Sequence, residues 1–305
     1  MSPRPPPAWG GLAARRQSMS TAAAHNPSLW RGRLATSILL VLPLALVIGL
    51  AFDLPLLMTA LWSITDFKSG SLTPEYYQDF FGRPIYLSVV WRTLEIAFAV
   101  SCCCALIGYP LSYWMTTLSP RGQKISLIII VMSFWVSVLV RTYAWIVILG
   151  NAGLVNRALQ HLGLTERPVQ FLYGELGVCI GMVNVLLPFL LLPLYAAMLQ
   201  IDPRLRQIAL TMGATSGQFF WRVFFPLTVP ALAATFILVF ILSLGFYITP
   251  AILGGGKVPM IANMLDMLIN QFPHWSLAAA MSCVMLVLTL SLFALYQSLR
   301  GKVAA

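Results

Sequence analysis

Charged side chains are scarce in this sequence: Asp, Glu, Lys and Arg together make up 9% of its 305 residues. A soluble domain carries about 25%, so the chain cannot cover a water-facing surface with charge. Histidine is rarer still, and His25, His161 and His274 lie far apart. No HExxH, GxSxG or paired-aspartate motif occurs, which removes the usual hydrolytic and metal-assisted chemistries. Gly254–Lys257 reads Gly-Gly-Gly-Lys, but Ala251 and Val258 stand where a phosphate loop needs Gly and Ser or Thr. The chain is therefore not expected to be an enzyme or to hydrolyse nucleotide itself. Of its five cysteines, Cys102, Cys103 and Cys104 are consecutive, and Cys179 and Cys283 stand alone. Consecutive residues of a helix point about 100° apart, so these thiols cannot converge on one ion, and no metal site is expected.

What the sequence has in abundance is apolar residues, 59% of the total, with a mean hydropathy of +0.84. They fall into six runs, 36–63, 88–115, 125–149, 176–199, 227–251 and 275–298, each long enough to cross a bilayer. Hydrocarbon offers the backbone no hydrogen-bond partner, so each run is expected to be a helix. The fold class is an all-α membrane protein with six transmembrane helices. Lys and Arg concentrate at the termini and at 116–124 and 200–226, whereas the other connections carry Asp66, Glu75, Asp79, Glu166 and Glu175. The positive-inside rule then puts both termini and those two loops in the cytoplasm. It also accounts for the formal net charge of +10, so no nucleic-acid partner is expected. Residues 1–35, rich in Pro, Ala and Arg, lack the apolar core of a cleavable signal and read as a disordered cytoplasmic tail. Translation could begin at Met1 or at Met19. The span domain is expected over 36–299, with a short cytoplasmic terminus at 300–305.

One segment breaks the pattern: Asp202 to Pro230, DPRLRQIALTMGATSGQFFWRVFFPLTVP, is amphipathic and basic. Asp202 and Pro203 suit the start of a helix over 204–212. Gly213 can end it in the left-handed conformation. A second helix over Ser216–Phe225 is expected to close at Pro226, with Phe219, Phe220, Val223 and Phe224 on roughly one face. Such a loop could dock on a partner or rest on the lipid surface.

The pattern Gln207-Ile208-Ala209, three residues, Gly213, nine residues, Val223-Phe224-Phe225-Pro226 resembles the EAA loop of type I ABC importer permeases. Gln207 and Ile208 depart from the Glu-Ala that opens that motif. The segments 134–156, 183–202 and 245–255 are similar to those of spermidine/putrescine-type permeases, although Phe246 stands where such relatives often carry an acidic residue. The resemblance implies a MetI-like fold and a cytoplasmic coupling loop, with Gln207, Ala209, Gly213, Ala214, Phe219, Phe220, Arg222, Val223 and Pro226 as its working residues. It implies two ATPase subunits carrying ATP and Mg, with no cofactor in this chain. It also implies a second permease subunit, a paralogue of this one, and an extracytoplasmic solute-binding protein, all at the bacterial inner membrane. In that setting Phe219, Phe220 and Phe224 would anchor the ATPase. The solute would be polyamine-like; thiamine, ferric iron, phosphonates and opines are alternatives within the family, and an ion-coupled secondary carrier is the alternative outside it.

Ionisable groups inside spans call for a partner or a cavity. Arg141 is expected to pair with Glu95 or Asp53, or to line a pathway. Tyr143, Asn184, Phe246 and Tyr247 are candidate pathway residues, and Pro188, Pro193, Pro230, Gly245 and Pro250 mark expected bends. The stretch MIANMLDMLINQFPHW, carrying Asp266, is expected to form a short outer-side helix. Asp53, Glu95 and Asp266 give that half an acidic bias suited to a cation, which Arg141 opposes.

Overall fold

A computed structural model describes residues 41–44, 46–66 and 70–303. The tail expected over 1–35 lies outside the described residues. Among the described residues, six helical stretches are long and apolar enough to cross a membrane: Val41–Trp62, Pro84–Thr117, Val138–His161, Glu175–Leu199, Ser216–Leu244 and Trp275–Ala294. The first of these is α1. Its described part up to Trp62 buries no residue, and the compact body begins at Ala60.

Within that body a short helix α2 (Glu75–Gly82) precedes α3 (Pro84–Thr117), the longest helix. Then come α4 (Pro120–Trp135), α5 (Val138–Leu149), α6 (Leu154–His161) and α7 (Glu175–Leu199). The amphipathic loop supplies α8 (Arg204–Thr211), and α9 (Ser216–Leu244) follows it. Two short helices, α10 (Ile248–Leu253) and α11 (Ile261–Asp266), lead to α12 (Trp275–Val303). Residues 300–303, expected in the short cytoplasmic terminus, are the last residues of α12.

The core is the mutual packing of α3, α7 and α9. On α7 every fourth residue from Val178 through Met182, Leu186, Leu190 and Leu194 to Met198 is buried, a single i, i+4 ridge that a facing groove must accept. On α3 the buried stripe runs through Ile96, Val100 and Cys104 to Gly108. A Cβ on Gly108 would lie 2.7 Å from Leu190 Cδ2, so its hydrogen lets the two helices close up. Buried hydroxyls cost nothing extra here, because Thr93, Ser101, Thr142 and Ser243 each donate to the carbonyl four residues earlier in their own helix.

Three expectations about helix ends are corrected. The third run is not one helix over 125–149: Val136 and Ser137 are extended between α4 and α5, and no proline or glycine marks the break. The spanning stretch there is Val138–His161, with a turn at Gly150–Gly153 between α5 and α6. The fifth run ends earlier than expected, at Leu244, and Ile248 starts a separate helix. Pro226, finally, does not close a helix, since the chain is helical without interruption from Ser216 to Leu244.

The reason is a π-turn at Phe220–Phe224, in which the N–H of Phe225 reaches back to the carbonyl of Phe220. Proline lacks the N–H that would bond the residue four before it, and its ring crowds that carbonyl. Widening the preceding turn by one residue relieves both. The same device recurs at Gly49–Asp53, two residues before Pro55, whereas the π-turn at Met267–Gln271 ends its helix ahead of Pro273.

Candidate functional site

The 200–226 loop is built by local signals. Pro203 stands at the cap of α8, and the Asp202 carboxylate accepts the backbone N–H of Arg204 at 2.8 Å. At the far end Gly213 takes φ +84°, with its N–H on Leu210 and that of Ala214 on Ala209, each 3.0 Å. That pair of bonds is a Schellman cap, which needs the left-handed residue glycine supplies. Thr215 and Gln218 then close a reciprocal capping box that starts α9. Its Thr-x-x-Gln signature is readable in the sequence and was missing from the expectation above.

Phe219 and Phe224 are 5% and 7% exposed, so they turn into the bundle instead of outward. The Tyr113 ring lies 4.9 Å from that of Phe220 and 5.0 Å from that of Phe224, both edge-on. Tyr109 meets Phe220 and Phe225 in the same way, and its hydroxyl is 2.8 Å from Thr228 Oγ1. Ala209 and Val223 pack against the same core. Phe220 and Phe224 therefore fasten the loop to α3, and the buried Phe219 and Phe224 face the bundle, whereas anchors for a separate protein were expected. The surface left to solvent is α8 and its tip: Leu205, Ile208 and Met212 are 38%, 55% and 83% exposed, beside exposed Arg204, Arg206 and Gln207. Arg222 and Pro226 are exposed, and Ala214 is half-buried.

The intramembrane charges do not meet as expected. Arg141 donates to Ser133 Oγ at 3.5 Å across the α4–α5 break, and its buried Nε has no partner. Glu95 accepts the indole N–H of Trp91 at 2.6 Å on its own helix. The pairing of Arg141 with Glu95 is thus replaced by two local contacts. Asp53 lies in the π-turn of α1 and is exposed. Among the described residues the inter-helix ion pair is instead Arg92 with Glu175, 3.4 Å apart between α3 and the start of α7, a pairing invisible along the sequence because 83 positions separate them (175 minus 92).

At the end of α9 farthest from Gly213, Tyr247 donates its hydroxyl to Asp266 Oδ2 at 3.0 Å. The phenol is held above its ordinary range, chiefly by that hydrogen bond. Phe246 packs against the core, whereas Tyr143 and Asn184 are exposed.

Residues 108–304 match the family described as binding-protein-dependent transport system inner membrane component. The spermidine/putrescine transport system permease protein PotB of Haemophilus influenzae is 35% identical over 234 residues, covering 76% of this chain and 81% of that protein. The inner membrane ABC transporter permease protein YdcU of Escherichia coli is 31% identical over 76% of this chain and 80% of its own length. The chain belongs to this permease family. Its fold is similar to that of a chain in a bacterial ABC transporter involved in the import of the acidic polysaccharide alginate, with a TM-score of 0.70 at 19% identity, covering 91% of this chain and all of that one.

The permease is accordingly a type I ABC importer subunit, a multi-pass inner-membrane transport protein of MetI-like fold. Beyond α6, the permease fixes its loop with one side chain that sequence reading passed over. Buried Asn156 donates to the carbonyls of Gly150 and Val169 and accepts the N–H of Val169, at 2.8–3.0 Å. An asparagine in a polar connection carries no signal of that bridging.

Proposed function

We propose that this permease carries a polyamine-like organic cation from an extracytoplasmic binding protein to the cytoplasm, driven by two separate ATPase subunits that grip α8. The single observation that carries the solute class is the likeness to a spermidine/putrescine permease over most of both chains. The acidic bias of Asp53, Glu95 and Asp266 agrees with it.

An ATPase moves a membrane bundle only through an element it holds and the bundle cannot shed. The helix α8 meets both conditions: it presents exposed Leu205, Ile208 and Met212, and the aromatic cluster behind it is fixed in α3 and α9. ATP and Mg belong to the partner. The Lys and Arg distribution supports a cytoplasmic side for α8 and both termini. A second permease, a paralogue, completes the pathway; Glu95 and Tyr143 are each exposed on this chain. The test is uptake of radiolabelled spermidine and putrescine by cells carrying this chain with its neighbouring transport genes. ATP-dependent uptake that is lost on deleting the chain is expected; uptake of neither polyamine overturns the solute class.

A further inference from the structure

Resting on the polyamine reading, we infer that Asp266, with Tyr247 and Asn263, forms a binding site for the alkylammonium group of the solute. A cavity of ≈310 Å3 opens between α10 and α11, and Tyr247, Asn263, Asp266 and Gln271 are its polar lining. No Lys, Arg or His lines it.

The Asp266 carboxylate is half-buried and accepts only neutral donors: the Tyr247 hydroxyl at 3.0 Å and the Asn270 amide at 2.7 Å. Neither ion pair among the described residues includes it. Neutral donors hold a carboxylate in place without cancelling its charge, so the cavity wall keeps a net negative group that a cation can approach. Beside it stands the Tyr247 ring, an aromatic face of the kind that binds ammonium groups. Asn263 is locked by giving its amide to the Tyr247 carbonyl at 3.2 Å and accepting the Met260 N–H at 3.3 Å. That lock fixes the turn carrying Tyr247 against the helix carrying Asp266, so the site is preorganised. Its position at the far end of α9 from Gly213 puts it where solute would enter. Phe246 leaves this permease without the acidic neighbour that the resemblance led us to expect at that point; Asp266 supplies a carboxylate from the adjoining helix.

The experiment is spermidine uptake kinetics in cells expressing the full transporter with Asp266→Asn, Asp266→Glu or Tyr247→Phe, with membrane level of each variant measured alongside. Asp266→Asn is expected to raise KM about tenfold with Vmax and membrane level within about twofold of wild type. Asp266→Glu should recover most of the loss, and Tyr247→Phe should raise KM by a few fold. An unchanged KM in Asp266→Asn overturns the site while leaving the polyamine reading intact. A fall in membrane level at unchanged KM also overturns it, assigning Asp266 to folding. A wild type that transports neither spermidine nor putrescine defeats the underlying reading and the site with it.

Discussion

Tyr113 on α3 and Phe224 in the π-turn of α9 meet edge to face with ring centroids 5.0 Å apart. Phe220 closes on the same tyrosine at 4.9 Å, so one side chain of the bundle is gripped by two of the loop. An aromatic pair contributes ~0.5–1.5 kcal/mol beyond its buried area, so Tyr113, with Tyr109 one turn before it, ties α9 to α3.

Replacing Tyr113 with Leu keeps the site apolar but removes both ring contacts. Transport is expected to fall about tenfold while the ATPase still co-purifies, because ~1.4 kcal/mol of lost mechanical linkage is a factor of ten. Solute-stimulated ATPase activity measured in proteoliposomes beside uptake checks this. Equal loss of ATPase association and uptake would place Tyr113 in docking instead.

Gly108 faces the end of the buried Leu190 side chain, which a methyl there would have to displace. Gly108→Ala puts a methyl 2.7 Å from Leu190 Cδ2 and 3.4 Å from Leu187 Cδ1, and overpacking of that kind costs ~1–3 kcal/mol. Thermal unfolding in detergent should show the loss. Leu190→Ala in the same chain should recover part of it, and the double-mutant cycle should be non-additive.

At Gly213 the constraint is conformational. Nothing lies within 4 Å of a Cβ built there, but φ is +84°, a region that costs an L-residue roughly 1–2 kcal/mol. Gly213→Ala is expected to fray the α8 cap and Gly213→Asn to do so less. Hydrogen exchange over 204–215 separates the two, and equal protection in both would contradict the Schellman cap.

Much of this architecture was legible before any coordinates. Six spans follow from apolar runs and bilayer thickness, and the end of α8 follows from Gly213 between a periodic helix and a new start. What stayed hidden depended on neighbours distant in sequence. The α4–α5 break at Val136–Ser137 carries no proline or glycine, so no local rule reports it. Pro226 reads as a stop, but a π-turn ahead of it makes it part of a continuous helix. Phe219 and Phe224 look like anchors for a partner because a sequence does not say which side of an amphipathic helix meets its own bundle. Arg141 and Glu95 are opposite in sign and alike in depth along the sequence, yet each makes a contact close by along the chain, with Ser133 and Trp91.

Asn156 makes three hydrogen bonds that close the segment from Gly150 to Val169. Asn156→Leu leaves the Val169 N–H without its acceptor, at ~1–3 kcal/mol if it stays buried, while the Gly150 and Val169 carbonyls keep the N–H groups of Gly153 and Phe171. Limited proteolysis should cut within 150–170 faster in the variant, with the helices on either side remaining protected.

The central claim is that exposed α8 is the handle for a nucleotide-hydrolysing partner. Cysteines placed at Ile208 and at Met212, which are 55% and 83% exposed, test it most directly through cross-linking to the ATPase in membranes, with and without ATP. The account predicts cross-links from both positions to the ATPase, with a yield that changes on nucleotide binding. Cross-links to lipid alone, or labelling of both cysteines from the extracytoplasmic side, would contradict it.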